Sequence, residues 1–270
     1  MNRQATTDTK DALPDDLSFA ARIEEWYRQN GRDLPWRHTK DAYLIWLSEI
    51  ILQQTRVEQG RDYYTRFTEH YPTVWHLAQA PEDEVMRLWQ GLGYYSRARN
   101  LHKAARQAVA NGHFPLSYDE LLTLPGVGRY TAAAIASFAY DEPQAVVDGN
   151  VYRVLARHAG ISTPIDSTAG AKEFAQLAQM RLDKHHSALY NQAIMDFGAI
   201  VCKPASPLCG ECPVADSCVA LAAGLVSTLP VKQHRTKLTE RFLTFVCVRN
   251  SDGLFLMQKR GQGDIYRGLY

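Results

Sequence analysis

The sequence predicts an all-α body that is followed by the beginning of a β domain. Between residues 41 and 198, apolar side chains recur with helical spacing in short segments that end at Gly or Pro. Alternating strand patterns are missing there and occur only after residue 240. No internal repeat of solenoid length is found. We therefore expect an all-helical body built from short packed helices.

The composition is that of a folded intracellular protein. The 270 residues are 46% hydrophobic, which is enough to bury the core of one large or two modest domains. No run of about 18 apolar residues is present, and residues 1–20 are polar and acidic, unlike a secretion signal. The net charge of +1 neither requires nor forbids a polyanionic partner. We expect a soluble, cytoplasmic protein.

The N-terminal segment divides into an arm and a helix. Residues 1–16 lack periodicity and carry few large apolar side chains, which predicts a disordered arm. From Phe19 the apolar residues repeat with helical spacing until Asn30 and Gly31, where we expect the first helix to end. Trp36 and Arg37 then follow in a turn.

A helix is predicted over residues 41–58, and between the acidic residues at its two ends Glu49 is the only carboxylate, in an otherwise apolar run. Burial disfavours the charged form of a carboxylic acid and raises its pKa, which is what a general acid near neutral pH requires. Two other interpretations stay open. Glu49 could lie on a solvated face of the helix, or it could pair with Arg56 two turns away.

Further helices are predicted as far as residue 198. They cover residues 60–70, 73–79, 81–90, 96–111, 117–123, 129–139, 150–159, 168–181 and 186–198. Between Glu84 and Asp119 the chain has five basic residues and no acidic one, which predicts a local positive surface. Such a surface could contact a phosphate backbone, or it could be an ordinary solvated helix face.

The sequence LPGVGRYT at residues 124–131 lies between a short helix and an Ala-rich helix. Gly126 and Gly128 allow a sharp turn and a close approach of the backbone, and the start of the second helix offers free N–H groups to a phosphate oxygen. The pattern predicts a helix-hairpin-helix that binds DNA without regard to sequence. A plain turn between two helices is the alternative.

Asp148 follows an apolar run and precedes a predicted helix. Taken alone, it is best interpreted as the residue that caps this helix. Together with Glu49 it suggests a second role, because cleavage of a glycosidic bond needs an acid for the leaving group and a carboxylate for the oxocarbenium-like sugar.

Four cysteines lie within a short span, with the spacing C-x6-C-x2-C-x5-C. They are Cys202, Cys209, Cys212 and Cys218. Disulfides are not expected in an intracellular protein, and a structural zinc site normally has two close pairs set farther apart. Four thiolates from one loop fit a [4Fe–4S] cluster. Cys247 is interpreted as a buried apolar residue of a strand.

The C-terminal part has a different character. Residues 241–248 and 254–258 are predicted as two strands that are joined by a turn at residues 250–253. Two strands cannot bury a core of their own, so we expect the chain to stop inside a second domain.

The hairpin, the aspartate after it and the cysteine spacing together resemble the endonuclease III superfamily of DNA base-excision glycosylases, over residues 18–218. Within it, the sequence is most similar to the MutY-type adenine DNA glycosylases. The motifs are LPWR at residues 34–37, SEIILQQT at 48–55, GLGYYSRARNL at 91–101, LPGVGRYTAAAI at 124–135 and VDGNVYRVLAR at 147–157.

The resemblance implies a two-lobed helical fold. Residues 17–36 and 150–222 would form the lobe with the [4Fe–4S] cluster, and residues 37–149 the lobe with the helix-hairpin-helix. Residues 223–240 would be a linker to a Nudix-like domain that begins at residues 241–270. The partner would be double-stranded DNA, bound by a monomer that is nucleoid-associated if the source is bacterial.

The implied reaction is removal of adenine mispaired with 8-oxoguanine. Bifunctional relatives carry a lysine directly after the hairpin, where this sequence has Tyr130, so we expect a monofunctional enzyme. By resemblance, Glu49 would protonate adenine at N7, and Asp148 would stabilise the oxocarbenium ion electrostatically or as a transient covalent partner. Tyr130 and Asn150 would position Asp148 and the sugar.

The resemblance also implies the contacts to adenine and DNA. These residues are Trp36, Arg37, Leu52, Gln53, Gln54, Thr55, Tyr94, Gly126, Gly128 and Gln192. Gln54 and Tyr94 would wedge into the duplex beside the flipped base. Two alternatives remain: a glycosylase for another mispaired or oxidised base, and a non-catalytic DNA-binding module.

Overall fold

The structure is a computed structural model that describes residues 15–233, 240 and 242–261. It confirms the all-helical body. The helices are α1 (Asp15–Asn30), α2 (Ala42–Leu52), α3 (Val57–His70), α4 (Val74–Gln79), α5 (Glu82–Leu88), α6 (Ser96–Ala110), α7 (Tyr118–Leu121), α8 (Arg129–Tyr140), α9 (Gly149–Ala159), α10 (Thr168–Arg181), α11 (Ser187–Ile200) and α12 (Val219–Ala222). None of these described helices is long and apolar enough to cross a bilayer.

The helix boundaries follow the Gly and Pro punctuation of the sequence. Helix α10 covers the predicted range, and α6 and α8 each differ from the prediction by one residue at the C-terminal end. At the N-terminus, residues 1–14 of the predicted disordered arm lie outside the described residues. Residues 15 and 16 already belong to α1, so this end of the arm was predicted wrongly.

The prediction of one helix over residues 41–58 is wrong. Helix α2 ends at Leu52, and α3 begins at Val57. Between them Gln54 has a left-handed backbone with φ of 54°, which interrupts the helix. The break is stabilised from outside the segment, because the Arg97 guanidinium donates hydrogen bonds to carbonyl oxygens at the end of α2. In a longer helix these oxygens would accept backbone N–H groups.

Two hydrophobic clusters hold the helices together. In the first, α2 packs against α3, α6 and α8, around the fully buried Trp46, Leu47 and Ile51. The second joins α1, α9, α10 and α11 around Leu155 and Phe174. The division of this part of the chain into two domains at the expected residues stays a prediction.

The helix-hairpin-helix consists of α7, the turn at residues 122–128 and α8. Gly126 has φ of 80°, and a Cβ atom there would lie 2.8 Å from Asn100 Cβ, so this position requires glycine. Gly128 precedes α8 and offers no side chain to cap it. The first amides of α8 are therefore left for an external acceptor.

Residues 234–270 form a separate unit. In its described part, a single antiparallel bridge joins Arg249 and Phe255 around the predicted turn. Among the described residues, pairing of the two predicted strands is limited to this bridge, and an isolated pair of strands is only marginally stable. Cys247, predicted to be buried, is exposed.

Candidate active site

One cavity gathers most of the residues that the sequence assigns to a reaction. It has a volume of about 370 Å³ and lies where the end of α2 meets α8, α9 and α11. The predicted residues that line it are Trp36, Arg37, Glu49, Leu52, Gln53, Gln54, Thr55, Tyr130, Asp148, Asn150 and Gln192. Tyr94, Gly126 and Gly128 do not line it.

Glu49 lies in α2 and is 8% exposed. Burial raises its pKa to about 7, although an interaction with the Tyr130 hydroxyl lowers it. The negative charge of Asp148 raises the pKa further, and Arg37 opposes this. Neither alternative for Glu49 holds: the face of the helix is not solvated, and no ion pair among the described residues joins Glu49 to Arg56.

Asp148 both caps α9 and faces the cavity. Its carboxylate accepts the Val151 backbone N–H at 2.7 Å and the Asn150 side-chain amide at 2.8 Å. Burial raises the pKa of Asp148, and these hydrogen bonds oppose the rise without cancelling it. The cavity thus brings together two carboxyl groups that are nearly a hundred residues apart in sequence.

A chain of hydrogen bonds connects Asp148 to the cysteine loop. The Asn150 side chain donates to Asp148 and accepts from Arg153 Nη2 at 2.8 Å. Arg153 Nη2 also donates to the Gly198 carbonyl at 2.7 Å, and its Nε donates to the Cys202 carbonyl at 2.7 Å. Arg153 is 8% exposed, and with a further bond from Nη1 to the Gly149 carbonyl at 3.3 Å its planar guanidinium fixes four oxygens inside the protein.

Arg37 is held in the wall of the cavity by a fully buried carboxylate. Asp196 accepts hydrogen bonds from Arg37 Nη1 at 2.6 Å and Nη2 at 2.7 Å. It also accepts one from the backbone N–H of Arg32 at 2.9 Å. Next to this group, the Tyr27 hydroxyl donates to the Gln192 side-chain oxygen at 2.9 Å. Gln192 lines the cavity, and its amide nitrogen supplies two N–H donors that this bond does not use.

Sequence reasoning missed Arg32, Arg153 and Asp196. The signal for Asp196 was present, because it is a lone carboxylate in the apolar run of α11, as Glu49 is in α2. Arg153 lies in a motif that was recognised, but its contacts come from tertiary packing and leave no sequence signal. The prediction of a local positive surface was also partly wrong, since Arg97 is partly buried and donates hydrogen bonds to backbone carbonyls.

Two predicted DNA contacts lie at exposed turns. Gln54 is exposed at the rim of the cavity, and Tyr94 is 62% exposed on the turn before α6. Both have left-handed backbones, with φ of 54° and 47°. Non-glycine residues adopt this conformation rarely, and it often marks a functional site.

The four cysteines line one largely apolar pocket, together with Arg157, Val201 and Leu208. No disulfide joins any of the four. The donor set fits an iron–sulfur cube, which takes four cysteine ligands. Arg157 Nη1 donates to Cys202 Sγ at 3.5 Å, which suits a sulfur that carries negative charge.

The sequence and the fold are similar to those of known DNA repair proteins. Residues 47–180 match the family model of the HhH-GPD superfamily base excision DNA repair protein. Adenine DNA glycosylase of Mus musculus is 45% identical over 232 residues, which cover 81% of this chain and 45% of the mouse protein. The chain therefore spans less than half of that relative.

Two further proteins are similar over more of their own length. Adenine DNA glycosylase of Buchnera aphidicola subsp. Acyrthosiphon pisum is 33% identical to this chain. The match covers 93% of this chain and 73% of the Buchnera protein. The solved structure of a thermostable thymine-DNA glycosylase has a TM-score of 0.72 at 30% identity, and the match covers 77% of this chain and 97% of that one.

Proposed function

The chain belongs to the HhH-GPD superfamily of base excision DNA repair proteins, among the adenine DNA glycosylases, and from this premise we propose its substrate and mechanism. We propose that it hydrolyses the N-glycosidic bond of adenine mispaired with 8-oxoguanine or guanine. The observation that carries the proposal is the pair of carboxyl groups, Glu49 and Asp148, on one cavity. A glycosidase needs such a pair.

Glu49 is the general acid. With a pKa of about 7 it is largely protonated just below neutral pH, and it gives its proton to N7 of adenine. The bond between C1′ and N9 then breaks, and its electron pair leaves with the base. The Asp148 carboxylate stabilises the resulting oxocarbenium ion. Water attacks C1′, its proton passes to the ionised Glu49, and adenine and an abasic site are the products.

The cavity has the size and lining for one extruded base. A volume of about 370 Å³ accommodates a purine, which must leave the helical stack before its glycosidic bond can be reached. Trp36 and Leu52 supply apolar walls, and Arg37 and Gln192 supply polar groups for the base edge. Gly126, Gly128 and the uncapped start of α8 bind a backbone phosphate.

The enzyme is monofunctional. A Schiff base with the sugar needs a lysine amine, and none of the described residues that line the cavity is a lysine. Tyr130 stands at the position after the hairpin, and burial raises the pKa of its hydroxyl well above the usual range. A protonated phenol can donate a hydrogen bond to Glu49, but it cannot form an imine.

Cys202, Cys209, Cys212 and Cys218 hold a [4Fe–4S] cluster in this proposal. The loop begins at Cys202, which contacts Arg153 and Arg157, and it would be held in place by a bound cluster. Purified protein should contain about four iron and four sulfide per chain. Cys212→Ser should lower both, whereas Cys247→Ser should not, because Cys247 lies outside the C-x6-C-x2-C-x5-C spacing.

Base release from duplexes tests the reaction. Wild-type protein should release adenine opposite 8-oxoguanine without forming a borohydride-trapped adduct. Glu49→Gln should slow release at least about a hundredfold, since general acids contribute that much. Glu58→Gln, an exposed change in α3, is the matched control. Full activity of Glu49→Gln would show that Glu49 is not the general acid.

A second candidate is a glycosylase for mispaired thymine. The 30% identity to a thymine-DNA glycosylase of known structure favours it. The same assay with thymine opposite guanine distinguishes the two, because an adenine enzyme leaves that duplex intact.

A further inference from the structure

Arg97 lies in the first turn of α6 and bonds to two separate turns of the chain. Its Nη1 donates to three carbonyl oxygens, those of Ile50 at 2.9 Å, Ile51 at 2.9 Å and Gln53 at 2.6 Å. Its Nη2 donates to Thr55 Oγ1 at 3.3 Å, to the Leu92 carbonyl at 3.4 Å and to the Gly93 carbonyl at 3.5 Å. One guanidinium therefore joins the end of α2 to the turn before α6.

These two turns carry the exposed residues with left-handed backbones. Gln54 lies between the two Arg97 partners Gln53 and Thr55, and Tyr94 follows the partner Gly93. A left-handed backbone at a non-glycine residue persists only where its surroundings determine it strongly. Arg97 supplies such surroundings on both sides.

The contacts require the flat shape of the guanidinium. Its central carbon lies 5.1 Å from the Trp89 ring centroid and 5.5 Å from that of Tyr94, so it makes cation–π contacts while it donates from both terminal nitrogens. A lysine ammonium keeps the charge but cannot reach both sets of oxygens or stack in the same way.

We propose that Arg97 is a positioning residue that holds the Gln54 and Tyr94 turns at a fixed separation, so that both side chains enter the duplex together when the target base is extruded. The inference rests on the proposed function. Arg97 does not line the cavity, so it acts through these turns and leaves the bond-breaking step to Glu49 and Asp148. Loss of Arg97 should therefore affect extrusion and spare chemistry.

Two duplexes separate extrusion from chemistry. In the first, adenine opposite 8-oxoguanine lies between matched pairs. In the second, both flanking pairs are mismatched, so the target is poorly stacked and is extruded more easily. Under single-turnover conditions Arg97→Lys should be about tenfold slower than wild type on the first duplex and within about twofold of it on the second. Thr55→Val, which removes one acceptor, should give a smaller deficit of the same kind.

Arg99→Lys is the control, because Arg99 lies on the same helix and pairs only with Glu82, at 3.7 Å, among the described residues. It should match wild type on both duplexes. The inference would be overturned if the rate of Arg97→Lys fell equally on the two duplexes, or on neither. If Arg97→Lys does not fold, an equal fall in the rate of Thr55→Val on both duplexes would overturn it. If wild type releases adenine from neither duplex, the proposed function fails first and this inference falls with it.

Discussion

The fully buried Asp196 accepts hydrogen bonds from both terminal nitrogens of the Arg37 guanidinium, at 2.6 and 2.7 Å. Burial alone would raise the pKa of Asp196, but the hydrogen bonds from Arg37 and Arg32 hold it below its usual value. The carboxylate is therefore ionised, and it fixes a cation in the wall of the cavity next to Glu49.

We predict that Asp196→Asn strongly destabilises the fold. Removing one charge of a buried pair leaves the other without compensation, which costs about 3–5 kcal/mol. Urea unfolding measures the change. Asp216→Asn is the matched control, because the Arg22–Asp216 pair is exposed and solvent screens it, so its loss should barely change the urea midpoint. Similar losses for the two variants would contradict the structural role of Asp196.

Glu49→Gln should stabilise the protein at alkaline pH. The pKa of Glu49 is about 7 in the fold and has an ordinary value of 4.5, so the unfolded chain loses its proton first as pH rises. Stability falls across this interval by about 3 kcal/mol. The variant lacks this loss, so it should unfold at higher urea than wild type at pH 8.5 and at similar urea at pH 4.5.

Tyr130→Phe should extend activity to higher pH. The interaction with the Tyr130 hydroxyl lowers the pKa of Glu49, so its removal raises that pKa and keeps the acid protonated longer. The alkaline limb of single-turnover base release should therefore move upward in pH. A limb that stays in place, or moves downward, would show that Tyr130 does not act on Glu49.

Arg153→Lys should slow base release and leave DNA affinity intact. Lysine cannot donate to Asn150, Gly198 and Cys202 at once, so Asn150 loses its anchor and Asp148 loses a fixed partner. We expect a single-turnover rate about tenfold lower, with a dissociation constant for duplex DNA within about twofold of wild type. Iron content is measured alongside. A slower rate only in protein that has lost iron would place the effect in the cysteine loop instead.

Much of the fold is predictable because local signals agree. Helices α6, α8 and α10 follow apolar spacing between Gly and Pro breaks, and the cysteine loop follows from its spacing. The burial of Glu49 was also predictable, since most of its helical neighbours, among them Ile45 and Leu52, are apolar and turn toward the interior with it.

The end of α2 and the anchoring of Arg37 could not be predicted in this way. Gln54 fits the helical pattern, but Arg97, some forty residues later, takes the carbonyls that would continue the helix. Likewise, nothing near Arg37 in the sequence points to Asp196 as its partner. Such contacts depend on tertiary packing, which overrides local propensity.

The pH dependence of single-turnover adenine release by wild-type protein tests the central claim most directly, that a buried Glu49 is the acid. The protonated form is lost as pH rises through its pKa of about 7, so the rate should fall about tenfold per pH unit above that value. Glu58→Gln should show the same profile as wild type. A rate that stays constant between pH about 6 and 9 would contradict the assignment of Glu49 as general acid.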